Sequence, residues 1–479
     1  MRSIETDVAV IGAGSAGLQA SREVQRAGKR WLLIESGPYG TLCARSGCMP
    51  SKLLIAAADT ARRVRRASLF GVNVAPEQIR IDRRAVMDRV RRERDRFVEL
   101  NARETEALPA DNRLHGTARF IGPGELDVDG TRVKAKAIVI ATGSTPVVPK
   151  ELSRLGDALL TSDSLFDLEE LPESMAVFGT GAIGLELGQA LHQLGVRVTF
   201  YNPFDQLGPF TDPEIARRFR KVLAAEHDLA LGAEITDVRV DANGVVLRHR
   251  ESTGGRQQER RFARVLAAVG RKPALDKLDL AKAGIELDEK GVPTCDPHTM
   301  RCGDSNIFMA GDCDGERPVL HEAVDDGALA GANAAGFPDV QPHTRRTALN
   351  IGFTHPQLAM VGKTFKALEH QPFAVGEVSY EDQGRARVIG QNRGHLRVYA
   401  DYESGKLIGA ELFGPAAEHT AHLLAWSVQQ ELTIGDLLRL PYYHPTLEEG
   451  LRTALRDVAK RLTQKASDDC EVTSEFPGA

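Results

Sequence analysis

Cysteine is scarce in this chain, with 6 among 479 residues. A disulfide-stapled scaffold is thereby excluded, because such domains are short and dense in cysteine. Long apolar runs are missing too. No stretch reaches the roughly 18 uncharged apolar residues that a membrane-spanning helix needs. The opening MRSIETDVAVIGAG lacks the basic, apolar and cleavage regions of a secretory leader, so a cytoplasmic protein with reduced thiols is expected. Charge of one sign is not in excess. Lys and Arg number 61, Asp and Glu 66, for a net charge of −5, which speaks against a nucleic-acid-binding surface.

What is present is an ordinary globular composition, 42% hydrophobic and 27% charged, in a chain too long for one core. Two to four domains are expected. Arginine gathers in RRVRR and RRAVMDRVRRERDR, within residues 62–96. A solvated helix face is the simplest reading, with Asp82, Asp88, Glu93 and Asp95 as counter-charges. The sharper alternative is steering of an anionic disulfide or acidic carrier domain.

The few cysteines are not spread evenly. Cys43 and Cys48 share the stretch TLCARSGCMPSK, whereas Cys295, Cys302, Cys313 and Cys470 form no second close C-x(2–4)-C pair. A structural zinc site wants two such pairs, so no metal is expected. In an unbroken helix the Cα atoms of residues five apart lie about 8 Å from each other, beyond the roughly 7 Å limit for a disulfide. A disulfide between Cys43 and Cys48 would therefore require a break in the helix between them. Gly47 allows that turn, and Pro50 suits the first turn of a helix continuing through SKLLIAAADTARRV. Cys48 then stands near a helix N-terminus, where the dipole favours thiolate.

Two glycine-rich fingerprints frame the rest. TDVAVIGAGSAGLQASREV is a β-branched apolar run, then Gly12, Gly14 and Gly17, then a helical pattern, and the next apolar run ends at Glu35. Glycines at this spacing allow a tight turn and close approach of amides to a pyrophosphate, and the acid can bind ribose hydroxyls. SMAVFGTGAIGLELGQALHQLGVRVTFYN repeats the frame with Gly179, Gly181 and Gly184. Two dinucleotides and one cysteine pair can carry electrons from one cofactor through the other to a disulfide.

In order, CARSGCMPSK, the two fingerprints, IVIATGSTP, LAAVGRKP, IFMAGDCDG and YYHPTLEE resemble the motifs of the flavoprotein disulfide reductases over residues 4–462. These are the class I pyridine nucleotide-disulfide oxidoreductases. The resemblance implies FAD on the first fingerprint, NAD(P)H on the second and an obligate homodimer. It assigns Cys48 to flavin contact and Cys43 to exchange with substrate. Lys52 matches the lysine beside the flavin, Glu186 its ion-pair partner, Asp312 a flavin-contacting aspartate and Gly116 a residue near the FAD adenine. Thr142, Gly143 and Gly270 fall in the cofactor-binding motifs. His444 matches the catalytic base, reaching the cysteines of the other subunit, and Glu449 the carboxylate that orients it. A histidine can take a dithiol proton near neutral pH, and a carboxylate on its other nitrogen raises its basicity.

The implied fold is α/β, with two Rossmann-like dinucleotide-binding domains and an α+β C-terminal dimerisation domain. FAD would occupy residues 1–148 and 271–342, NAD(P) residues 149–270, and the interface residues 345–463, leaving 464–479 as a disordered tail.

Specificity is read from departures. Asn202 stands where NAD-preferring members carry an acid, and no basic residue occurs from 198 through 210. NADP's 2′-phosphate wants a cation, so NAD is favoured, with NADP as the alternative. Among family members the dihydrolipoyl dehydrogenases are the most similar, with a small-molecule or carrier-bound dithiol, including a lipoyl carrier domain, as the expected partner. Arg22, Arg45 and the Tyr442-Tyr443 pair depart from their usual pattern. A reductase of another disulfide, glutathione-type or persulfide, therefore stands as the alternative, as does a non-catalytic flavoprotein carrier-binding subunit.

Overall fold

The computed structural model describes residues 2–251 and 255–465. The expected tail and Cys470 lie largely or wholly outside the described residues. The fold is α/β as expected, built on a mixed seven-stranded sheet with a parallel core, a parallel five-stranded sheet and an antiparallel five-stranded sheet, with a smaller antiparallel sheet formed by residues 233–241, 244–251 and 257–262.

Strand β1 (Ser3–Ile11) becomes buried on both faces from Val8 onward, the mark of a central parallel strand. It pairs in parallel with β2 (Trp31–Glu35) on one side and with Thr131–Ile140 on the other. Arg113–His115 and Ile307–Met309 extend this parallel core at its two edges. Helix α1 (Ser15–Arg26) buries Ala16, Gly17, Ala20, Ser21 and Val24 at helical spacing. It lies unusually close to the helix Leu320–Gly336. A Cβ on Gly327 would fall 2.3 Å from the Ala16 carbonyl oxygen, and one on Gly331 2.5 Å from that of Ala20.

The second parallel sheet runs Asp228–Leu231, Arg197–Asn202, Ser174–Phe178, Arg264–Ala267 and Leu159–Thr161. An antiparallel ribbon of Ser144–Pro146 with Arg271–Pro273 stands where the chain passes between the two sheets. The third sheet is five-stranded and antiparallel, in the order 349–352, 357–362, 407–414, 395–401 and 373–379. Helices Ala417–Gln429 and Glu449–Lys465 cover it.

A buried polar cluster joins the last two sheets. Asp212, fully buried, caps the helix Pro213–Ala224 through the Glu214 amide at 2.9 Å. Its carboxylate also accepts from Arg397 Nη1 at 2.6 Å and Tyr399 Oη at 2.9 Å.

The arginine-rich segment is less solvated than its composition implies. It forms the end of α3 (Cys48–Arg65) and α4 (Arg83–Glu106). The Arg91 and Arg94 side chains are only 23% and 15% exposed. Arg94 Nη1 meets Asp167 Oδ1 at 2.5 Å, and Arg91 donates to the Leu168 and Glu169 carbonyls. These guanidiniums dock α4 on the connection between the strands 159–161 and 174–178 of the second sheet, a long-range use that local charge counting does not reveal.

Candidate active site

The expected break between the two cysteines is present. The four-residue helix α2 (Leu42–Arg45) is capped by the Thr41 side chain, which accepts from the Ala44 amide at 3.3 Å. Cys48 is the first residue of α3, with Gly47 as its N-cap. A Cβ on Gly47 would press to 3.1 Å from both Cys43 Cα and the Leu42 carbonyl oxygen, so the close return of the chain favours glycine there. Cys48 is exposed and Cys43 half-buried, and both are thiols.

The two sulfurs are chemically unequal. The bond from the Cys43 thiol lowers Cys48 to about 6, with the Lys52 ammonium adding to it against the opposing effect of burial. Cys43 is correspondingly pushed up by its bond to Cys48 and by burial. One thiolate and one thiol thus share the site at neutral pH, with the charge at the helix N-terminus. One turn along α3, Lys52 Nζ lies 2.7 Å from Glu186 Oε2 and 4.5 Å from the Phe353 ring centroid. The Phe353 amide holds the other Glu186 oxygen at 2.7 Å. Phe353 had no sequence signal, because it reaches the site only through tertiary contact.

The first fingerprint forms a backbone cradle. Gly12 has φ +109°, and a Cβ there would meet the Ala141 carbonyl oxygen at 2.3 Å. A Cβ on Gly17 would meet the Gly12 oxygen at 1.9 Å, whereas one on Gly14 would face open space. Gly14 caps α1 with no side-chain bond and no acid in the first turn, leaving amides and a positive dipole end for a pyrophosphate. Glu35 accepts from the Ala13 and Gly37 amides, each at 2.7 Å. Gly116, at φ +156°, donates its amide to the Glu35 carbonyl at 2.9 Å, which brings it beside Glu35. Thr142, whose Cα lies against Gly12, buries a hydroxyl without a partner among the described residues. Gly143 follows at φ +69°. An orphaned donor beside an open glycine cradle fits FAD.

The second fingerprint repeats this geometry. A Cβ on Gly179 would stand 2.2 Å from the Ala268 oxygen and one on Gly184 2.1 Å from the Gly179 oxygen, with open space at Gly181. Gly181 caps the helix Ala182–Gln193, again without a side-chain bond. Asn202 ends its strand and is engaged by the loop itself, donating to Thr180 Oγ1 at 2.6 Å and to the Gln206 carbonyl at 3.0 Å. Gly270, at φ +115°, receives the Val147 amide at 3.0 Å.

Asp312 Oδ2 accepts from Ser144 Oγ at 2.7 Å, and Ser144 in turn accepts from Arg271 Nε at 2.8 Å. Arg271 also binds Asp163 at 2.8 Å. This relay between the two nucleotide units escaped sequence reasoning, since its members are far apart along the chain. Arg45, a departure noted above, turns back onto the Tyr39 and Gly40 carbonyls. Arg22 pairs with Glu104 at 3.7 Å.

His444 and Glu449 are brought together. His444 Nδ1 lies 3.0 Å and 3.1 Å from the two Glu449 oxygens, and the Thr446 amide reaches Glu449 Oε2 at 3.2 Å. Burial alone would raise the Glu449 carboxyl, but the bonds from His444 and Thr446 outweigh it and hold it below its usual range. The imidazole is 79% exposed. Within one chain, no bond among the described residues joins it to Cys43 or Cys48.

Residues 6–327 match the family model for pyridine nucleotide-disulphide oxidoreductases, and residues 349–455 match that family's dimerisation domain. The chain is 31% identical over 466 residues to a dihydrolipoyl dehydrogenase of Thermus scotoductus, covering 95% of this chain and 98% of that one. A dihydrolipoyl dehydrogenase of Bacillus subtilis is 29% identical over 94% of this chain and 97% of its own length. Among solved structures, LpdA of Mycobacterium tuberculosis superposes with a TM-score of 0.80 at 25% identity, over 94% of this chain and 99% of that one. FAD and NAD(P) are the family's cofactors, in agreement with the two cradles. The chain belongs to the pyridine nucleotide-disulphide oxidoreductases, enzymes that pass an electron pair between a nicotinamide and a dithiol or disulfide.

Proposed function

We propose that the protein is an NAD-dependent dihydrolipoyl dehydrogenase working as a cytoplasmic, obligate homodimer on a free or carrier-bound dithiol. Residues 1–148 with 271–342 form its FAD domain, 149–270 its NAD domain and 345–463 its interface domain. The observation that carries the reading is the unequal cysteine pair at the start of α3, with Cys48 lowered to about 6 and Lys52 one turn away.

The residues have the following work. His444 Nε2 takes a proton from the incoming dithiol, while Glu449 holds Nδ1 and stabilises the imidazolium. In the oxidised enzyme the substrate thiolate attacks Cys43 Sγ, and the Cys43–Cys48 bond breaks. Cys48 leaves as a thiolate, stabilised by the helix N-terminus and Lys52. The second substrate thiol then attacks the substrate sulfur joined to Cys43, and that mixed disulfide bond breaks. A cyclic disulfide forms, and Cys43 departs as a thiol carrying the second substrate proton while His444 keeps the first. Bound FAD supplies the two-electron relay from the reduced pair to the nicotinamide. Glu186 keeps Lys52 in place beside that relay.

NAD is supported by the absence of a basic side chain from residue 198 through 210. The relatives named above support the dihydrolipoyl substrate. Steady-state turnover of the holoenzyme with NAD and dihydrolipoamide tests this reading, with glutathione and other thiols as competitors. Turnover of dihydrolipoamide at least a hundredfold more efficient than of the others is expected. Comparable or better turnover of another thiol or disulfide transfers the assignment to that substrate.

A further inference from the structure

A second cysteine pair lies in the unit that carries the first cradle. Cys295 and Cys302 face each other across an isolated antiparallel bridge. The flanking bond runs from the Asp296 amide to the Arg301 carbonyl at 2.9 Å, while the Cys302 amide turns away to Ile307 at 2.9 Å. This is the non-hydrogen-bonded type of cross-strand position, in which Cα atoms stand about 4.5 Å apart and side chains are closest. Such a spacing lies inside the roughly 4.4–6.8 Å window of a disulfide. The Cys295 thiol donates to the Asp296 carbonyl at 3.8 Å, and Cys302 is the neighbour that acts on it most strongly. Cys302 is 1% exposed and Cys295 is half-buried. Cys313, also buried in this core, instead directs its sulfur to the Ile140 and Ala310 carbonyls at 3.2 Å and 3.3 Å.

We infer that Cys295 and Cys302 are a second dithiol/disulfide couple, closed by exchange with low-molecular-weight disulfides and separate from the Cys43–Cys48 pair. The more accessible Cys295 acts first. Its thiolate attacks one sulfur of the small disulfide, whose S–S bond breaks and releases one thiolate. Cys302 then loses its proton and attacks Cys295 Sγ, and the bond to the reagent sulfur breaks. Two protein thiols are oxidised, and one disulfide is reduced to two thiols that take up the two protons. The closed bridge ties residues 295 and 302 beside the strand Ile307–Met309, which leads into the Asp312 turn. The neighbouring Cys302 thiol and then burial hold the Cys295 thiol well above its usual range. Closure is therefore slower than reaction at Cys48.

The test uses the holoenzyme and its Cys43→Ser/Cys48→Ser variant, each equilibrated anaerobically in buffers of graded glutathione disulfide to glutathione ratio. Samples are acid-quenched, alkylated with iodoacetamide and digested without reduction. Trypsin cuts after Arg301, between the two cysteines, so closure links the two flanking peptides. The expected result in both proteins is linked peptides 2 Da lighter than the sum of the thiol forms, with two alkylated cysteines lost and dithiothreitol reversing the change. The Cys295→Ala variant yields no such species. Recovery of both cysteines alkylated at every ratio overturns the inference, as does a stable glutathione adduct on Cys295 without closure.

Discussion

Lys52 Nζ stands 2.7 Å from Glu186 Oε2, joining the helix that begins at Cys48 to the helix that begins at Ala182. The pair ties the helix that follows Cys43 to the unit that carries the second glycine cradle. It also tunes Cys48 with opposite signs, since the Lys52 charge lowers its pKa and the Glu186 charge raises it.

Lys52→Met therefore raises the pH midpoint for alkylation of Cys48 above about 6, and Glu186→Gln lowers it. The check is the pH dependence of iodoacetamide modification in the reduced protein. Because the folded-state pKa lies below that of a free thiol, the thiolate's stabilisation of the reduced fold is complete above about pH 9 and disappears as pH falls through about 6. The reduced form alone should show that acid loss.

The exposed His444–Glu449 pair is complete without the cysteines of its own chain. His444→Gln should cut dithiol turnover by about 10² to 10⁴, the usual contribution of a general base. Neither a His444→Ala nor a Cys43→Ser homodimer turns over, but their heterodimer should regain about half the native activity, because one of its two sites has both residues. Purification of the heterodimer with two different tags, followed by assay, checks this. An inactive heterodimer would place both residues in one chain's site.

Asp212 is fully buried and bonded to both Arg397 and Tyr399. Asp212→Ala leaves the Arg397 guanidinium paired with Glu377 alone among the described residues, at 3.3 Å, strands the Tyr399 hydroxyl and removes a helix cap. A loss of about 3–5 kcal/mol is expected from breaking a buried pair of this kind. Urea unfolding of the wild type and variant measures it.

Asn202 has no cation beside it within residues 198–210, so kcat/KM should favour NADH over NADPH. Asn202→Arg should move the ratio toward NADPH by tenfold or more, through a charge-assisted bond to the 2′-phosphate. Stopped-flow reduction with each nucleotide measures the change.

What could be read along the chain is what depends on local spacing. The fingerprints required a strand, a glycine turn and a helix, and Gly12, Gly17, Gly179 and Gly184 pack so tightly that a Cβ has no room. The break between Cys43 and Cys48 followed from helix rise and the reach of a disulfide, with Gly47 as the residue that allows the turn. Long-range partners left no such trace. Phe353 over Lys52, and Arg271 between Ser144 and Asp163, meet only after folding. Arg91 and Arg94 were legible as charge, but their role as docking groups was not, because burial of a guanidinium depends on carbonyls about 70 residues away. The facing of Cys295 and Cys302 likewise depends on a bridge that spacing alone does not announce.

The most direct test of the account is anaerobic titration of the holoenzyme with NADH, followed by visible absorbance. If the electron pair passes through Cys43 and Cys48, two electrons should raise a long-wavelength thiolate-to-flavin band that is absent in Cys48→Ser and is discharged by lipoamide. Complete flavin bleaching with no such band, unchanged in Cys48→Ser, would contradict the account and place the cysteine pair outside the electron path.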